Sequence, residues 1–344
     1  MLKWYEQNVA DSDVVISSRV RLARNLEEFP FSGKLQEEQA VTLVNKVKKI
    51  TNLLSEKDHR KYYSCNISTL SEIDKSAMVE RHIVSPLLAT KEQTTWLILS
   101  EDETISIMIN EEDHVRIQAI VGGMNLEEAY QEADKIDDIA YDELHFAYDE
   151  KYGYLTECPT NAGTGMRASC MVFLPALSSA RMIQKLIEEV GKYGMTIRGI
   201  YGEGSKSLGN MYQISNQKTL GNSEREIIDN LKRIVTQIVK QERKRREYML
   251  SVNSDEIQDQ VYRTYGILKY ARQISSDDAM NLLSQLKFGV DAKLIKLDRE
   301  CNIHKLMMGV QPGSLQWTLG KNVGSLSRDQ ARAEYIRKEL PTII

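Results

Sequence analysis

The sequence is poor in cysteine and proline, with only four and six of these residues among 344. Cys65, Cys158, Cys170 and Cys301 have no CxxC spacing, which excludes a zinc ribbon and a thioredoxin-type motif. Few, scattered cysteines in a chain of this length are typical of reduced thiols in a cytoplasmic protein. The scarcity of proline excludes long proline-rich linkers.

Long apolar runs are absent as well. The most apolar stretches, such as residues 170–177, have only the length of a strand, so no segment is expected to cross a bilayer. The first residues lack the apolar core and the cleavage site of a signal peptide. These absences predict a cytoplasmic protein without a membrane partner.

Neither sign of charge dominates. The chain has 45 Lys and Arg against 49 Asp and Glu, a net charge of −4. This balance argues against a generally basic nucleic-acid-binding protein, and direct nucleic-acid binding is not expected. The basic run at residues 243–246 is interpreted as a solvated helix face. The length corresponds to about two domains.

The first 220 residues alternate short strand patterns with amphipathic helices. Residues 115–121 alternate apolar side chains with Arg116 and Gln118, which is typical of a half-buried strand. Similar patterns predict strands over 94–99, 105–109, 153–157, 167–174, 195–201 and 210–215, and helices over 35–54, 125–148 and 178–193. Asn125 and Glu128 are the expected N-terminal cap of the second helix. Short strands and tight turns favour an α+β fold with a largely antiparallel sheet flanked by helices.

The pattern changes after Ser223. Residues 223–226 form a capping box, which predicts a helix that continues to about residue 251. Further helices are expected over 256–274, 277–286, 290–295 and 328–339. We therefore predict a sheet domain over 14–244 and an all-α C-terminal domain over 245–344.

Two arginines alternate in the segment SSRVRLAR at 17–24. On an extended chain Arg19 and Arg21 project to the same face, where two guanidinium groups suit a polyphosphate. An ion-paired surface strand is the alternative interpretation.

A second segment, 110–116, groups three carboxylates and His114 before Arg116. It is either an acidic turn or a carboxylate site for a cationic substrate or a metal. The absence of HxH, HExxH and DxD spacing gives little support to a metal held by protein ligands.

Two further segments each adjoin a predicted strand that carries an arginine. In CPTNAGTGMRAS (158–169), Cys158 and two glycines precede Arg167, and small residues allow backbone N–H groups to approach an anion. Cys158 is either a reactive or a structural thiol. In RGIYGEGS (198–205), Arg198 precedes Glu203, which lies between glycines on a segment that can close over a substrate. A plain loop explains either segment taken alone.

Together, these segments predict one site. They place five arginines in strands and two glutamates at strand ends: Arg19, Arg21, Arg116, Arg167, Arg198, Glu112 and Glu203. Converging strands would form a basic cleft for nucleotide phosphates with two carboxylates at its rim. Such a cleft suits phosphoryl transfer to a cationic acceptor.

The four segments, in this order, resemble the catalytic domain of the phosphagen (guanidino) kinases, which has a glutamine synthetase-like fold. The resemblance covers about residues 14–244 and rests on SSRVRLARN, NEEDHVR, CPTNAGTGMRAS and RGIYGE. Within the family, the chain is most similar to the bacterial protein-arginine kinases. It lacks the helical N-terminal domain of the small-molecule kinases, and residues 328–333 match an RDxxRA motif that forms an allosteric phosphoarginine pocket in the protein-arginine kinases.

The resemblance implies a role for each matching residue. The catalytic residues would be Glu112, Glu203 and Cys158. The ATP-binding residues would be Ser17, Ser18, Arg19, Val20, Arg21, His82, Arg116, Arg167, Ala168, Ser169, Cys170, Met171, Arg198, Gly199, Ile200, Tyr201, Gly202 and Glu203. The phosphoarginine pocket would be Arg328, Asp329, Gln330, Ala331, Arg332 and Ala333. In that last segment Ser327 is the expected N-cap, and Arg328 and Arg332 share one helix face.

The resemblance also implies an activity and its partners. It implies transfer of the γ-phosphoryl group of ATP to arginine in proteins, with Mg²⁺ held mainly by ATP oxygens and water. The partners would be a heat-shock repressor and misfolded proteins as substrates, a zinc-containing activator protein, a Clp ATPase or protease and a second copy of the chain, in a stress response regulated by phosphoarginine. Two alternatives stay open: a kinase of a free small guanidino compound, and a non-catalytic phosphoarginine-binding adaptor.

Overall fold

The computed structural model describes residues 3–6, 12–199 and 208–344. The strands in this part of the chain are β1 (Val15–Arg24), β2 (Tyr62–Asn66), β3 (Trp96–Ser100), β4 (Ile105–Ile109), β5 (Val115–Gly122), β6 (Tyr148–Asp149), β7 (Gly153–Tyr154), β8 (Met166–Phe173), β9 (Met195–Gly199) and β10 (Met211–Asn216). The α-helices are α1 (Glu37–Val47), α2 (Ile50–Lys57), α3 (Glu72–Glu80), α4 (Pro86–Thr90), α5 (Leu126–Tyr141), α6 (Pro175–Ser179), α7 (Ile183–Gly191), α8 (Glu224–Tyr270), α9 (Ser276–Asp291), α10 (Ile303–Gly309), α11 (Pro312–Leu319) and α12 (Ser325–Glu339).

Eight of the described strands form one sheet in the order β2-β3-β4-β5-β1-β8-β10-β9. Every pair of neighbours is antiparallel, so the predicted antiparallel α+β fold is confirmed. The longest strand, β1, lies in the interior of the sheet between β5 and β8. The short strands β6 and β7 form a separate hairpin.

The main core lies between one face of the sheet and the helices α1, α5 and α8. Val20 and Leu22 of β1 are fully buried in it, together with Ile136 of α5 and Leu231 of α8. Burial of a side chain such as Leu22 contributes about 1.5–3 kcal/mol to the free energy of unfolding. The side chains on the opposite face of β1 therefore lie outside this core and can be polar.

The C-terminal helices form a second core that includes one end of the sheet. Leu283 of α9 and Leu306 of α10 are buried in the same cluster as Met171 and Phe173 of β8. The predicted helical C-terminal region is confirmed. Helix α8 runs through residues 244–245 without interruption and has a non-helical backbone only at Asn253.

Several predicted elements differ in length or number. The helix expected over 125–148 ends at Tyr141, and the side chain of Asn125 donates to the Gly122 carbonyl instead of capping the helix. The helices expected over 35–54 and 178–193 are each divided into two, the strand expected over 153–157 has two residues, and the last helix starts at Ser325 after an N-cap at Gly324, not at Ser327. The elements without a sequence prediction are β2, β6, α3, α4, α10 and α11, which are short, and the separate helix expected over 290–295 is absent because α9 ends at Asp291.

The basic run at 243–246 is only partly a solvated helix face. Both Arg243 and Arg246 pair with Asp13, and the nearly buried Arg246 also donates to Glu242 of the preceding turn. The carboxylate of Glu242 in turn accepts the backbone N–H groups at the start of α6. The run therefore fastens α8 to the sheet domain. Among the described helices, none has the length and apolar composition needed to cross a membrane.

Candidate active site

The alternation of β1 decides which of its side chains reach the open face of the sheet. Val20 and Leu22 enter the core, so Arg19 and Arg21 between them face the other way. Arg21 lies directly opposite Arg167 of β8, and Nε of Arg19 donates to Ser169 Oγ on the same strand. The prediction that these arginines share one face is correct.

These side chains line a pocket of about 190 Å³ on the open face of the sheet. Its lining residues are Arg19, Arg21, Val79, His82, Val84, Ser85, Pro86, Met108, Gln118, Arg167, Arg198 and Gln213. Among the described residues that line it are four arginines and no carboxylate. The arginines come from three strands, β1, β8 and β9, so the predicted convergence of separate segments is observed.

The positive charges of Arg19 and Arg21 lie close to other arginines. Burial, together with Arg167 and Arg116, lowers the pKa of Arg19 to about 10. Burial, followed by the fields of Arg19, Arg116 and Arg167, holds the pKa of Arg21 well below its ordinary value. Nε of Arg21 is buried without a hydrogen-bond partner. A bound anion with several oxygen atoms would offset the repulsion between these arginines and accept a hydrogen bond from Nε of Arg21.

His82 lines the pocket from a strained position. Its φ of 60° lies in the left-handed region, which a histidine adopts at a cost. Burial and the neighbouring Arg19 lower the pKa of His82 to about 3, so its ring is neutral at pH 7. Its carbonyl accepts the Gln118 amide, which also reaches Ser106. His82 is thus held beside the arginines as a neutral group.

The acidic segment 110–116 forms the turn between β4 and β5 at one end of the pocket. Glu111 is buried and accepts Ser85 Oγ and Nη1 of Arg116, whereas Glu112 is half-buried and accepts Nη2 of Arg116 at 2.9 Å. Arg116 is therefore paired with two carboxylates and is not among the residues that line the pocket, and its predicted contact with ATP stays a prediction. Burial raises the pKa of Glu112, which Arg116 partly opposes.

The other two polar residues of this turn are structural. The ring of His114 is buried, with Nδ1 accepting the Leu26 N–H at 3.0 Å and Nε2 near the Pro30 carbonyl. Asp113 Oδ1 accepts the Asn25 amide at 2.7 Å and the Glu157 N–H at 2.8 Å. Within the described residues, no group of three His, Cys, Asp or Glu side chains is arranged to hold a metal ion.

The Cys158 segment lies beside the acidic turn because of Asp113. That carboxylate binds the backbone of Glu157, and the next residue, Cys158, is half-buried with Sγ 3.1 Å from Thr160 Oγ1. The loop glycines have a packing reason: a Cβ on Gly163 would meet the backbone of Leu220, and one on Gly165 would meet the Ala23 carbonyl. The glycines thus have a packing reason, and the approach of an anion to the backbone of this loop stays a prediction.

Other predicted ATP-binding residues face away from the pocket. Ala168 and Cys170 alternate with Arg167 and Ser169 and are buried in the main core, as is Val20. Ser18 Oγ donates to the Gly123 carbonyl and accepts the Asn125 N–H. Strand alternation turns these side chains into the helical layer, and their predicted roles in ATP binding stay predictions.

The remaining predicted residues have mixed outcomes. Ser17 is nearly fully buried, Met171 lies in the second core, and Gly199 pairs with Tyr212 at the end of β9. Ile200, Tyr201, Gly202 and Glu203 lie outside the described residues. Their predicted roles stay predictions.

Sequence reasoning missed several polar residues of the pocket. Gln213 of β10 accepts Nη2 of Arg19 at 2.8 Å, and Ser85 holds Glu111. The alternation of Arg116 with Gln118 on β5 was the only available signal for Gln118, because both project to the same face. Gln213 and Ser85 belong to segments with no distinctive motif.

The RDxxRA segment at 328–333 opens α12 differently from the expectation. Arg332 is only 1% exposed and donates to the carbonyls of Val310 and Ile274 and to Asp329 Oδ1. Arg328, one turn earlier, is half-buried without such partners, and Gln330 is exposed. Ala331 is half-buried and Ala333 fully buried. The guanidinium of Arg332 is thus occupied by two backbone carbonyls and the Asp329 carboxylate. Of the two arginines, only Arg328 is accessible to a ligand.

Two family models divide the chain. Residues 42–245 match the ATP:guanido phosphotransferase C-terminal catalytic domain, and residues 254–343 match the protein-arginine kinase McsB C-terminal domain. The protein-arginine kinase of Clostridium kluyveri is 45% identical over 327 residues, which cover 95% of this chain and 94% of that relative. The one of Caldanaerobacter subterraneus is 42% identical over 333 residues, 96% and 98% of the two chains.

Solved structures agree with this fold. The duplicated taurocyamine kinase from Schistosoma mansoni superposes with a TM-score of 0.62 at 26% identity, covering 67% of this chain and 33% of that longer chain. Lombricine kinase superposes with a TM-score of 0.60 at 21% identity over 68% of this chain and 67% of its own. The second similarity concerns the fold alone.

Proposed function

The chain belongs to the ATP:guanido phosphotransferase family as a protein-arginine kinase, and we propose that its arginine-lined pocket binds the phosphates of ATP while the edge with Glu112 and Cys158 receives the guanidinium of a protein arginine. The observation that carries this proposal is the convergence of Arg19, Arg21 and Arg167 on one pocket whose described lining includes no carboxylate. Such a pocket is suited to a polyanion and unsuited to a cation.

Positioning and electrostatic stabilisation would do most of the catalysis. In phosphoryl transfer the γ-phosphoryl group passes through a loose transition state that spreads negative charge over its oxygens. Arg19 and Arg21, on a strand in the interior of the sheet, are rigid donors that need no reorganisation when this charge develops. The neutral His82 ring adds a hydrogen-bonding group without further positive charge.

The acceptor arginine must lose a proton, because a guanidinium has a pKa above about 12 and is a poor nucleophile. We assign Glu112 to hold the guanidinium and to accept that proton, since its carboxylate is half-buried next to Glu111, which binds Ser85 of the pocket. An N–P bond forms, the bond between the γ-phosphorus and the ADP oxygen breaks, and the nitrogen's proton passes to Glu112. Glu203 and Cys158 have family-based roles as the second carboxylate and as a neighbour of the guanidinium.

Mg²⁺ is proposed as the companion of ATP. The described site fits an ion that arrives on the nucleotide, because no group of three His, Cys, Asp or Glu side chains among the described residues could hold it. When bound, Mg²⁺ supplies additional neutralisation of phosphate charge.

Incubation of the full chain with Mg-ATP and an unfolded arginine-containing protein, followed by mass spectrometry without acidic steps, tests the proposed function. Phosphoarginine on the protein supports it. Phosphorylation of free arginine alone would favour a small-guanidine kinase, and absence of any phosphoryl transfer would favour a non-catalytic adaptor. Arg21→Met serves as the matched negative variant, because it removes one phosphate ligand from the pocket.

We also propose that phosphoarginine regulates the enzyme through residues 328–333. Arg332 binds the Val310 carbonyl, and α11 begins two residues later, at Pro312. The start of α11 is held by Glu80, two residues before His82 of the ATP pocket. A ligand at Arg328 thus has a continuous packed route to the nucleotide.

The partners and location remain family-based proposals. They comprise a heat-shock repressor and misfolded proteins as substrates, a zinc-containing activator protein, a Clp ATPase or protease that degrades marked proteins, a homodimeric assembly and a cytoplasmic location. Co-purification from cells under heat stress, with and without arginine phosphorylation, would test the first three.

A further inference from the structure

A second, larger concavity lies outside the arginine pocket. This groove of about 730 Å³ runs between the C-terminal end of α5, the β6–β7 hairpin and the loop that leads into α8. We call it the tyrosine groove, defined by Tyr141, Phe146, Tyr148, Tyr152 and Tyr154. None of these residues has a role in the proposed phosphoryl transfer.

The aromatic side chains of the groove are unusually accessible. Tyr141 and Tyr148 are each 62% exposed and Tyr152 is 47% exposed. Tyr141, Phe146, Tyr154 and Tyr148 form a continuous series of edge-on and tilted ring contacts, with centroids 5.3–6.4 Å apart. A connected set of exposed rings is characteristic of a binding surface, because tyrosine offers large contact area at little entropic cost.

The charges that line the groove are mainly negative. Asp138, Glu150 and Glu224 contribute carboxylates, and no ion pair involves them among the described residues. The single lining cation is Lys151, whose Nζ lies 5.0 Å from the centre of the Tyr152 ring. Burial, and then the fields of Asp138 and Glu224, raise the pKa of the adjacent Asp134. Aromatic faces combined with carboxylates favour a cationic side chain.

Within the protein itself, one arginine side chain is held by a tyrosine ring and a carboxylate together. The guanidinium of Arg24 stacks on the Tyr154 ring at 3.5 Å from its centre and donates from Nε and Nη2 to Asp137 at 3.1 and 2.7 Å. This arginine is almost fully buried, and Asp137 compensates its charge. The exposed rings and carboxylates of the groove repeat the same pair of partners without an occupant from the described chain.

The groove is adjacent to the acceptor edge of the active site, the edge with Glu112 and Cys158 that is proposed to receive the substrate guanidinium. Tyr154 and Gly163, which line the groove, exchange backbone hydrogen bonds, and the segment between them contains Cys158. Thr219 Oγ1 fastens this segment to the groove wall through the carbonyls of Thr160 and Ala162. Cys158 follows Tyr154 by four positions, so an extended chain spans the gap within about 14 Å.

We propose that the tyrosine groove docks a second cationic side chain of the protein substrate, so that the enzyme selects extended arginine-rich or lysine-rich segments while one arginine occupies the acceptor edge. This inference rests on the proposed function for the identity of the substrate. The groove itself recognises positive charge and need not distinguish Arg from Lys, since Tyr and carboxylate contacts serve both.

Binding and turnover are measured separately to test the proposal. The binding probe is a fluorescently labelled octapeptide of alternating lysine and glycine, which cannot become phosphoarginine. The variants of the full chain are Tyr141→Ala with Tyr148→Ala, and Asp138→Asn with Glu150→Gln; all four side chains are exposed, so folding is preserved. The control is Tyr193→Ala with Glu188→Gln, an exposed pair outside the groove, with Glu188 in the C-terminal part of α7 and Tyr193 in the turn after it.

Each groove variant is expected to weaken peptide binding about tenfold, the cost of a lost cation–π or ion-pair contact of about 1.4 kcal/mol. It should raise KM for an arginine-rich protein by a similar factor, with unchanged kcat, KM for ATP and rate on a single-arginine tripeptide. Equal affinity of the groove and control variants for the lysine peptide would overturn the proposal. Saturable binding of an uncharged or acidic peptide, without binding of the lysine peptide, would overturn it as well. If no substrate becomes phosphorylated, the proposed function fails, whereas the lysine peptide still decides the docking site.

Discussion

Glu80 holds the first turn of a helix in the other domain: its carboxylate accepts the backbone N–H of Ser314 at 2.6 Å. The same carboxylate accepts the Gly313 N–H and the Ser314 hydroxyl, each at 2.8 Å. A Cβ on Gly313 would lie 2.7 Å from the Ala77 backbone, so α3 and α11 pack in direct backbone contact. Since His82 follows α3 by two residues, this contact connects the C-terminal helices to the ATP pocket.

Glu80→Gln is expected to loosen this connection. An amide cannot accept from three donors as a carboxylate does, and unpaired buried N–H groups cost about 1–3 kcal/mol. Urea unfolding and hydrogen exchange at Gly313 and Ser314 measure the effect, and KM for ATP should rise with it. Glu72→Gln on the same helix is the control, since Glu72 is 89% exposed and pairs only with Lys75. Equal protection at Gly313 in both variants would contradict the prediction.

Arg21→Met is expected to stabilise the protein without ligand and to impair ATP binding. Arg21 is half-buried among like charges with its Nε fully buried, and its lowered pKa means that the folded state carries the charge at a cost at every pH below that pKa. Replacement of a buried charge by an apolar side chain stabilises by about 1–4 kcal/mol. Thermal unfolding should show a higher Tm without ATP and a smaller shift with ATP. Arg263→Met, at an exposed site, should change neither quantity.

Glu112→Gln is expected to lower kcat by about 10²–10⁴-fold while ATP still binds, because the amide cannot accept the guanidinium proton. Burial raises the pKa of Glu112, and the base acts in its ionised form. The rate of the wild-type enzyme should therefore fall as pH decreases through a value above the ordinary carboxyl range. A pH profile of kcat/KM and an ATP titration measure these effects, with Glu101→Gln in an exposed turn as control. Wild-type turnover in Glu112→Gln would remove this residue from the mechanism.

Asp113→Asn and Asp113→Ala are expected to differ strongly. Asparagine keeps an oxygen for the Asn25 and Glu157 donors, whereas alanine leaves both unpaired at a cost of about 1–3 kcal/mol. Burial raises the pKa of Asp113 in the folded state, so its contribution to stability falls as pH rises from the ordinary carboxyl pKa through that raised value. The Asn variant should lose this dependence and retain activity. Urea unfolding between pH 4 and 7 and turnover at pH 7 measure it; similar loss in both variants would refute the positioning role.

Arg328→Ala tests phosphoarginine binding without removing internal hydrogen bonds of the folded protein. Arg328 is half-buried and lies on α12 without the internal bonds of Arg332, so its removal should abolish binding in calorimetry and leave the unfolding transition within about 0.5 kcal/mol of wild type. Arg332→Ala should instead cost about 3–5 kcal/mol, because Asp329 and two carbonyls lose their partner. Unchanged phosphoarginine affinity in Arg328→Ala would remove this residue from the pocket.

The sequence was sufficient for patterns that are local in the chain. Arg19 and Arg21 had to share a face because strands alternate with a period of two, and the capping box at Ser223 starts α8 as expected. Facts that depend on distant partners were inaccessible. Arg332 is buried only because Val310 and Ile274 surround it, and Gln213 reaches the pocket only because β10 is next to β8.

His82 illustrates a further reason for failure. Its position in the pocket depends on a left-handed backbone after α3, a helix that the apolar pattern did not indicate. At Asn125 the expected N-cap position is correct, but its side chain donates to the Gly122 carbonyl and not to the helix, while its backbone N–H donates to Ser18 Oγ. Local preferences were overruled where the chain meets β1.

The unbroken part of α8, from Glu224 to Val252, constrains how the two halves of the protein can diverge. One inserted or deleted residue before Asn253 would rotate everything beyond it by about 100° and shift it by about 1.5 Å along the axis. Such a change would move the C-terminal cluster out of register with Phe173 and Glu80 at the same time. Length changes in this family should therefore avoid residues 224–252 and gather at the kink or in the loops after Tyr270, where a change of helical phase can be absorbed.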